Sequence, residues 1–415
     1  MPEISSSFID RTDFILELAR RLHAYGTTAQ RLERGINAVS QRLQVECEIW
    51  SNPTGIILSF SDPMRGPFSD TTRVIRLEPG DIDLRKLCRV DAIAEQVLNG
   101  EIGIDAGRAA LRELDQPPGR WGNLLMALSF GLAGASVAGI LRTGWADIAT
   151  AAVIGTLIGA LQVLSQKRPQ LAEANDAIAA LLATFLAAVV ATYLVPLSLR
   201  SVVVASVIVL MPGLMLTNAV SELTSQHLVS GTARFAGAMA TLIKLTFGTV
   251  AAMQAVRLLG WSPEEAALVP PPVWVEWAAL ALGAFAFAVL FRAQLRDYPL
   301  VMASAAVGYG ITRWVGGLVP DDLSIFPIGV FLGGLFITMA SNLYARWFNR
   351  PGALIRVPGI ILLVPGSTGF RTLTQLMEND MAMGLDTAFV LFKALVALVA
   401  GVLFGNLLVS ARRSL

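Results

Sequence analysis

Apolar positions follow two different patterns along the chain, and the change falls near residue 120. Before it the runs are short and periodic. Phe14, Ile15, Leu18 and Leu22 share one face of a helix predicted over 10–24. Gly26 interrupts it, and Thr27-Thr28-Ala29-Gln30 has the pattern of a capping box, in which Gln30 reaches back to the cap. Leu32, Ile36, Val39 and Leu43 then continue at helical spacing. Residues 45–49 alternate apolar and polar, as a half-buried strand does. Asn52-Pro53-Thr54-Gly55 is turn chemistry, 56–60 a second strand, and 72–77 a third. Helices are predicted over 83–98 and 105–114, and Gln116-Pro117-Pro118-Gly119 stops the pattern. Residues 1–120 are thus expected to form a small soluble α+β domain.

From Trp121 onward the runs lengthen. A membrane-spanning helix needs about 20 mostly apolar residues. Ten segments qualify: 122–141, 146–164, 177–195, 199–216, 234–256, 273–291, 299–316, 324–344, 355–370 and 386–409. The expected fold is an α-helical polytopic membrane protein, with one five-helix unit over 121–260 and another over 270–415. Gly155/Gly159, Gly329/Gly333 and Gly401/Gly405 repeat at four-residue spacing, which lets helices pack tightly.

Composition agrees with this division. Of 415 residues 54% are hydrophobic and only 15% charged, against about a quarter charged in soluble proteins; mean hydropathy is +0.60. A net charge of +1 gives no electrostatic pull toward nucleic acid. The two cysteines, Cys47 and Cys88, read as reduced, packed thiols. The first 13 residues are polar and acidic and lack a signal-peptide pattern. With the first domain in the cytoplasm, ten basic residues fall on the inner side: Lys167, Arg168, Arg234, Arg292, Arg296, Arg346, Arg350, Arg356, Arg412 and Arg413. Arg142, Arg200, Arg257, Arg313 and Arg371 fall outside, together with Glu264-Glu265 and Pro320-Asp321-Asp322. That bias places both termini in the cytoplasm, across a bacterial inner membrane.

The two five-helix units echo one another. Leu210-Met211-Pro212-Gly213 returns as Leu363-Val364-Pro365-Gly366, 153 positions later, and the same offset pairs Leu223 with Leu376 and Gly231 with Gly384. Each apolar helix that follows carries one lysine, Lys244 and Lys393, though about a turn out of register. Five helices per unit is odd, so the second unit starts on the opposite side: an inverted repeat, a common plan of secondary transporters. Proline removes a backbone donor and glycine tolerates unusual dihedrals, so a break is expected at each Pro-Gly. Freed backbone at membrane depth is tolerated only inside protein or beside a wet cavity, and paired broken helices mark substrate sites. The substrate-binding candidates are Pro212, Gly213, Thr217, Asn218, Lys244, Pro365, Gly366, Ser367, Thr368, Arg371 and Lys393. A basic group there would hold a carboxylate; Glu222 or Asp386 would hold an ammonium or carry a proton.

Competing chemistry has little support. No nucleophile elbow, phosphate loop or metal-spaced cluster occurs, so no cofactor and no metal are expected. His23 reads as a helix-surface residue, Thr71, Thr72, Arg73 and Arg76 as a solvated strand face, and His227 as a loop residue.

The chain resembles the threonine/serine exporter family. The resemblance rests on Gly26-Thr27-Thr28-Ala29-Gln30-Arg31-Leu32-Glu33, Pro53-Thr54-Gly55, Thr71-Thr72-Arg73-Val74, Asp83-Leu84-Arg85-Lys86-Leu87 and the two Pro-Gly segments. It implies export of threonine and serine driven by the proton motive force, with a cytoplasmic first domain. Related two-component members are associated with export of dicarboxylates such as succinate; the fusion of both membrane units in one chain favours the amino-acid exporters. The expected partners are a small polar substrate, protons and the lipid bilayer, and a homo-oligomer is compatible with the sequence. The alternatives are a dicarboxylate exporter, a membrane-anchored enzyme with a catalytic first domain, and a channel or sensor.

Overall fold

The computed structural model describes residues 7–62, 70–116, 119–166, 168–267, 269–318, 327–378 and 380–410. Pro117-Pro118, Lys167, Pro320-Asp321-Asp322, Arg412 and Arg413 lie outside the described residues.

The N-terminal unit opens with α1 (Phe8–Ala24) and α2 (Ala29–Arg42). Strands β1 (Glu46–Asn52), β2 (Gly55–Ser61) and β3 (Thr71–Arg76) follow, then α3 (Leu84–Leu98) and α4 (Ile104–Glu113). The strands form one antiparallel sheet in chain order, with Asn52 opposite Gly55 at the first turn. The apolar stripe of α1 meets Leu32 and Ile36 of α2 and Ile56, Leu58 and Phe60 of β2 in one buried core. Burial of that stripe, at about 25 cal/mol per Å² of apolar surface, is what holds the short helices. The turn between α1 and α2 needs a left-handed residue, and Gly26 supplies it at φ 79°.

Two local expectations give way to tertiary contacts. His23 is not on the surface: it is buried, with Nε2 3.0 Å from the carbonyl of Asn52. The capping box does not form. Thr28 is the N-cap of α2 but its side chain makes no cap hydrogen bond. A carboxylate 193 positions along the chain takes that role, as described below.

The described residues of the second part are mainly helical. Helices α5 (Arg120–Ile140), α6 (Trp145–Ser165), α7 (Pro169–Tyr193), α10 (Leu228–Leu258), α11 (Val273–Leu290), α13 (Ile328–Phe348) and α16 (Met381–Leu408) are long and apolar enough to cross a membrane. So is Ala353–Met377, which comprises α14 (Ala353–Ile361) and α15 (Gly366–Met377). A ninth candidate joins α8 (Leu199–Ser206), a 3₁₀ turn at Ile208–Leu210 and α9 (Gly213–Thr224), bent by 55°. The chain is therefore a multi-pass membrane protein with eight or nine candidate spans among the described residues. α12 (Tyr298–Leu318) is as long as its neighbours but is not among them. Tyr298, Tyr309, Arg313 and its glycines make it the least apolar of the expected ten.

Glycines set the closest approaches. A side chain at Gly155 or Gly159 would come within 2.8 Å of the Phe130 carbonyl or 2.6 Å of the Ala127 carbonyl on α5. At Gly329 it would meet the Thr312 carbonyl of α12, and at Gly405 the Leu335 carbonyl of α13. These small-residue pairs are packing surfaces.

Candidate functional site

The two Pro-Gly segments break their helices alike. Pro212 and Pro365 have no N–H to continue a helix, and both take the same unusual conformation, φ −82° ψ 41° and φ −84° ψ 44°. In each, the glycine N–H turns back onto the residue before the proline: Gly213 to the Met211 carbonyl at 2.8 Å, Gly366 to the Val364 carbonyl at 2.9 Å. The helix then restarts from the proline carbonyl, which accepts from Leu216 in one case and Gly369 in the other.

The breaks also meet. A Cβ on Gly213 would lie 3.1 Å from the Gly366 Cα and against Val364; one on Gly366 would lie 3.0 Å from the Gly213 Cα and 3.4 Å from Met211 Cβ. Around this point the packing is reciprocal, with α10 against α15 and α16 against α9. Farther along, Leu223 packs under Gly231 as Leu376 packs under Gly384. Arg234 donates to Glu222 at 3.0 Å, while at the equivalent positions Thr387 donates to Gln375 at 2.8 Å. One pair is ionic and the other neutral.

A cavity of about 620 Å³ opens on one side of the meeting point. Met211, Pro212, Gly213, Val364, Gly366 and Ser367 form its floor, and Asn218 projects from α9. Polar walls come from Gln162, Asp176 and Arg234, apolar ones from Phe130 and Phe287, and Gly26 and Asp81 of the N-terminal unit also line it. A second cavity of about 480 Å³ lies between α7, α8, α10 and α15, lined by Thr184, Thr249, Arg200, Arg371, Gln375 and Glu378 among others. The hydroxyls of Thr184 and Thr249 are buried without hydrogen-bond partners. Val203, Leu216, Leu242 and Phe370 belong to one buried apolar cluster beside the two spaces. A Cβ on Gly369 would find Leu242 at 3.3 Å and Leu216 at 3.9 Å.

The sequence candidates distribute unevenly over this geometry. Pro212, Gly213, Asn218, Gly366 and Ser367 line the first cavity, and Arg371 lines the second. Pro365 is buried at its break. Thr217 is buried and donates to the Gly213 carbonyl at 3.1 Å, steadying the first turn of α9. Thr368 lines neither space; its carbonyl accepts from Thr372. Lys244 is 44% exposed and reaches the first cavity only through Asp176, 4.0 Å away. Lys393 and Asp386 lie on the exposed side of α16 and line neither cavity. Hydropathy cannot tell the periphery of a bundle from its interior, so an apolar sequence around Lys393 does not decide which way it faces.

Sequence reasoning passed over Asp176 and Gln162, and counted Arg234 only as a loop charge. Asp176 and Arg234 lie near the starts of α7 and α10, which begin at Pro169 and Leu228 rather than at 177 and 234, whereas Gln162 lies near the end of α6. Pro169 at the first position of α7 was the available signal, since proline favours the first helical turn and α7 begins there rather than at 177.

Glu222 has a defined set of partners. It is 1% exposed. Oε1 accepts from the Ala29 N–H at 3.0 Å, Oε2 accepts from Ser230 at 2.7 Å, and Arg234 Nε is 3.0 Å from both oxygens. A membrane-helix carboxylate thus caps α2 of the N-terminal unit, favourably placed at the positive end of the helix dipole. Beside it, His227 Nδ1 stands 3.4 Å from Glu33 Oε2, and the other Glu33 oxygen accepts from the Ser51 N–H. Burial raises the Glu33 pKa, opposed by the Ser51 N–H and His227, and Glu222 adds to the rise. The motif at 83–87 makes the second attachment. Leu84 and Arg85 donate backbone N–H groups to the carbonyls of Phe291 and Arg292, and Asp83 lies 3.5 Å from Arg292. Arg350 then forms a two-point pair with Asp297, at 2.7 Å on each arm, beside Cys88. Both cysteines are free, and burial pushes their thiols up to about 11.

Comparison with known proteins places this geometry in a group. A threonine/serine exporter family model, ThrE, matches residues 13–256, and a second threonine/serine exporter model matches 276–408. The chain is 24% identical over 372 residues to the pheromone-regulated membrane protein 10 of Yarrowia lipolytica, covering 87% of this chain and 30% of that protein. To the protein of the same name in Saccharomyces cerevisiae it is 24% identical over 395 residues, covering 92% of this chain and 49% of the relative. In Candida albicans the figures are 24% over 396 residues, 92% and 34%. The chain thus spans about half or less of the length of these curated relatives. No solved structure matches it.

Proposed function

The chain belongs to the threonine/serine exporter family, and we propose that it is a secondary transporter exporting small polar metabolites, threonine and serine foremost, driven by the proton motive force. One observation carries the reading: two Pro-Gly breaks from separate halves of the chain touch at Gly213 and Gly366 and form the floor of a polar-walled cavity. Broken backbone beside a wet space is how secondary transporters hold a polar solute within a bilayer.

In this proposal the membrane part consists of ten helices, counting α12 and the bent α8–α9 pair. They are arranged as two inverted five-helix repeats related about the Gly213–Gly366 contact. Reciprocal packing of α10 on α15 and α16 on α9 supports that relation. The N-terminal unit and both termini lie in the cytoplasm, so the larger cavity is the inward-open one, and apolar side chains such as Leu216, Leu242 and Phe370 close the path to the smaller. Exchange of the two openings moves the solute.

The solute's polar groups meet Asn218, Ser367 and backbone freed at the two prolines. Asp176 and Lys244 carry the proton step: Asp176 is the carboxylate lining the cavity, and Lys244 lies 4.0 Å from it. Glu222 serves as a latch to the N-terminal unit, because its two oxygens are already engaged by three donor groups.

Everted membrane vesicles carrying the protein test the reading. Labelled threonine or serine accumulates when a proton gradient is imposed, and does not when the gradient is collapsed. Uptake of succinate with neither amino acid would replace the substrate class; no solute movement at all would overturn the transporter.

A further inference from the structure

Arg31 and Arg356 come from parts of the chain with no local relation. Arg31 lies in the first turn of α2, in the N-terminal unit, and Arg356 in the short helix α14 that leads into the second Pro-Gly break. Both line one small cavity of about 30 Å³. Neither has a carboxylate within 4.0 Å among the described residues, although the other interface arginines, Arg234, Arg292 and Arg350, each have one. Thr28, Gln30, Asn218 and Ser221 complete the polar lining. Glu222 also borders the space, but its oxygens are engaged by Ala29, Ser230 and Arg234. Two like charges lining a shared small space repel and keep only part of the hydration they would have in water. Burial, with the added repulsion of Arg356 and Arg34, holds the Arg31 pKa well below its ordinary value. Guanidinium groups match planar carboxylates through paired N–H donors, and a space of this size admits one compact group.

We propose that Arg31 and Arg356 together bind the carboxylate group of a small solute, and that this binding fastens the N-terminal unit to the second broken helix. This deepens the transporter reading and rests on it for the identity of the solute. Asn218 lines both this cavity and the larger one, so the two spaces share a wall at the first break. The carboxylate neutralises the repulsion between the arginines, so an occupied site favours the docked arrangement and an unoccupied one weakens it. The N-terminal unit then becomes a sensor of cytoplasmic solute, coupled to the helix that must move.

Hydrogen–deuterium exchange on the full chain in lipid nanodiscs, at constant ionic strength, tests this. Acetate and threonine should each slow exchange over residues 28–32 by at least several-fold, whereas threoninol, which lacks the carboxylate, should not. Arg31→Gln and Arg356→Gln should each raise the acetate concentration needed at least tenfold, and the double variant should lose little more than either single one. Arg356→Lys keeps the charge but not the fork, and should fall between wild type and Arg356→Gln while retaining the fold. Chloride protecting as well as acetate, or protection surviving in both glutamine variants, would overturn the proposal. Should acetate protect this segment while vesicles move no amino acid, the site stands and the transport assignment fails instead.

Discussion

Gly213 and Gly366 occupy each other's contact shell: each glycine Cα lies 3.0–3.1 Å from where the other's Cβ would be. Residues 153 positions apart in sequence are brought to backbone contact. Proline before each glycine fixes the direction of the bend, and the missing Cβ lets the bends touch. A polar cavity beside that contact gives the freed backbone somewhere to act.

Gly366→Val tests whether that contact tolerates movement. The new side chain must displace the Gly213 backbone, not merely a flexible side-chain end. Overpacking of this kind costs about 1–3 kcal/mol. The variant should unfold at lower temperature in nanodiscs and move threonine at least tenfold more slowly. Unaltered transport with unaltered stability would mean the two backbones are free to separate.

Glu222→Gln should loosen the N-terminal unit. It removes the charge that faces Arg234 and weakens the cap on Ala29. Breaking a buried ion pair from one side costs about 3–5 kcal/mol. Exchange over residues 28–32 should accelerate, and adding Arg234→Met should restore part of the loss, because the stranded cation is then gone. Equal exchange in wild type and Glu222→Gln would show that α2 is held without its membrane-side cap.

His23 sets a pH limit on the same unit. Burial, first, and the nearby Arg234 lower its pKa below 6.5, while the carbonyls of Asn52 and Pro53 oppose the shift. A histidine whose folded pKa is depressed contributes stability that is fully present above about 6.5 and is lost as pH falls through the lower folded value. The melting temperature of the full chain should therefore fall more steeply between pH 6.5 and 5 than that of His23→Gln. Parallel profiles would place the acid sensitivity elsewhere.

Cys47 and Cys88 should label slowly. Thiols pushed up to about 11 hold little thiolate at pH 8. A maleimide reagent should modify the native protein far more slowly than the denatured chain, and comparable rates would contradict the raised pKa of the half-buried Cys47 and the buried Cys88.

Much of this arrangement was legible before any coordinates. The N-terminal elements followed from local periodicity and turn chemistry, because Phe14, Leu18, Asn52 and Gly55 declare their roles within a few residues. The Pro-Gly echo located both breaks for the same reason. What remained hidden depended on tertiary contact. Glu222 capping Ala29 overrides a plausible local capping box, and no local pattern encodes a partner 193 positions away. Asp176 went unremarked and Arg234 reads as a loop charge because hydropathy trims helix ends where charges sit. The exposed positions of Lys393 and Asp386 were hidden too, because apolar surroundings in sequence describe lipid and protein interior alike. The pairing of Arg31 with Arg356 joins two segments that no spacing rule relates.

Reconstitution into liposomes tests the central claim most directly, with labelled threonine efflux measured for wild type, Asn218→Leu and Ser367→Leu. Both positions line the cavity at the meeting of the breaks, and leucine fills polar space without touching the glycine contact itself. Wild type should release threonine in a manner that depends on the pH gradient, and each variant should lose at least tenfold in rate while retaining its melting temperature. Wild-type efflux in both leucine variants would contradict a solute path through the paired breaks.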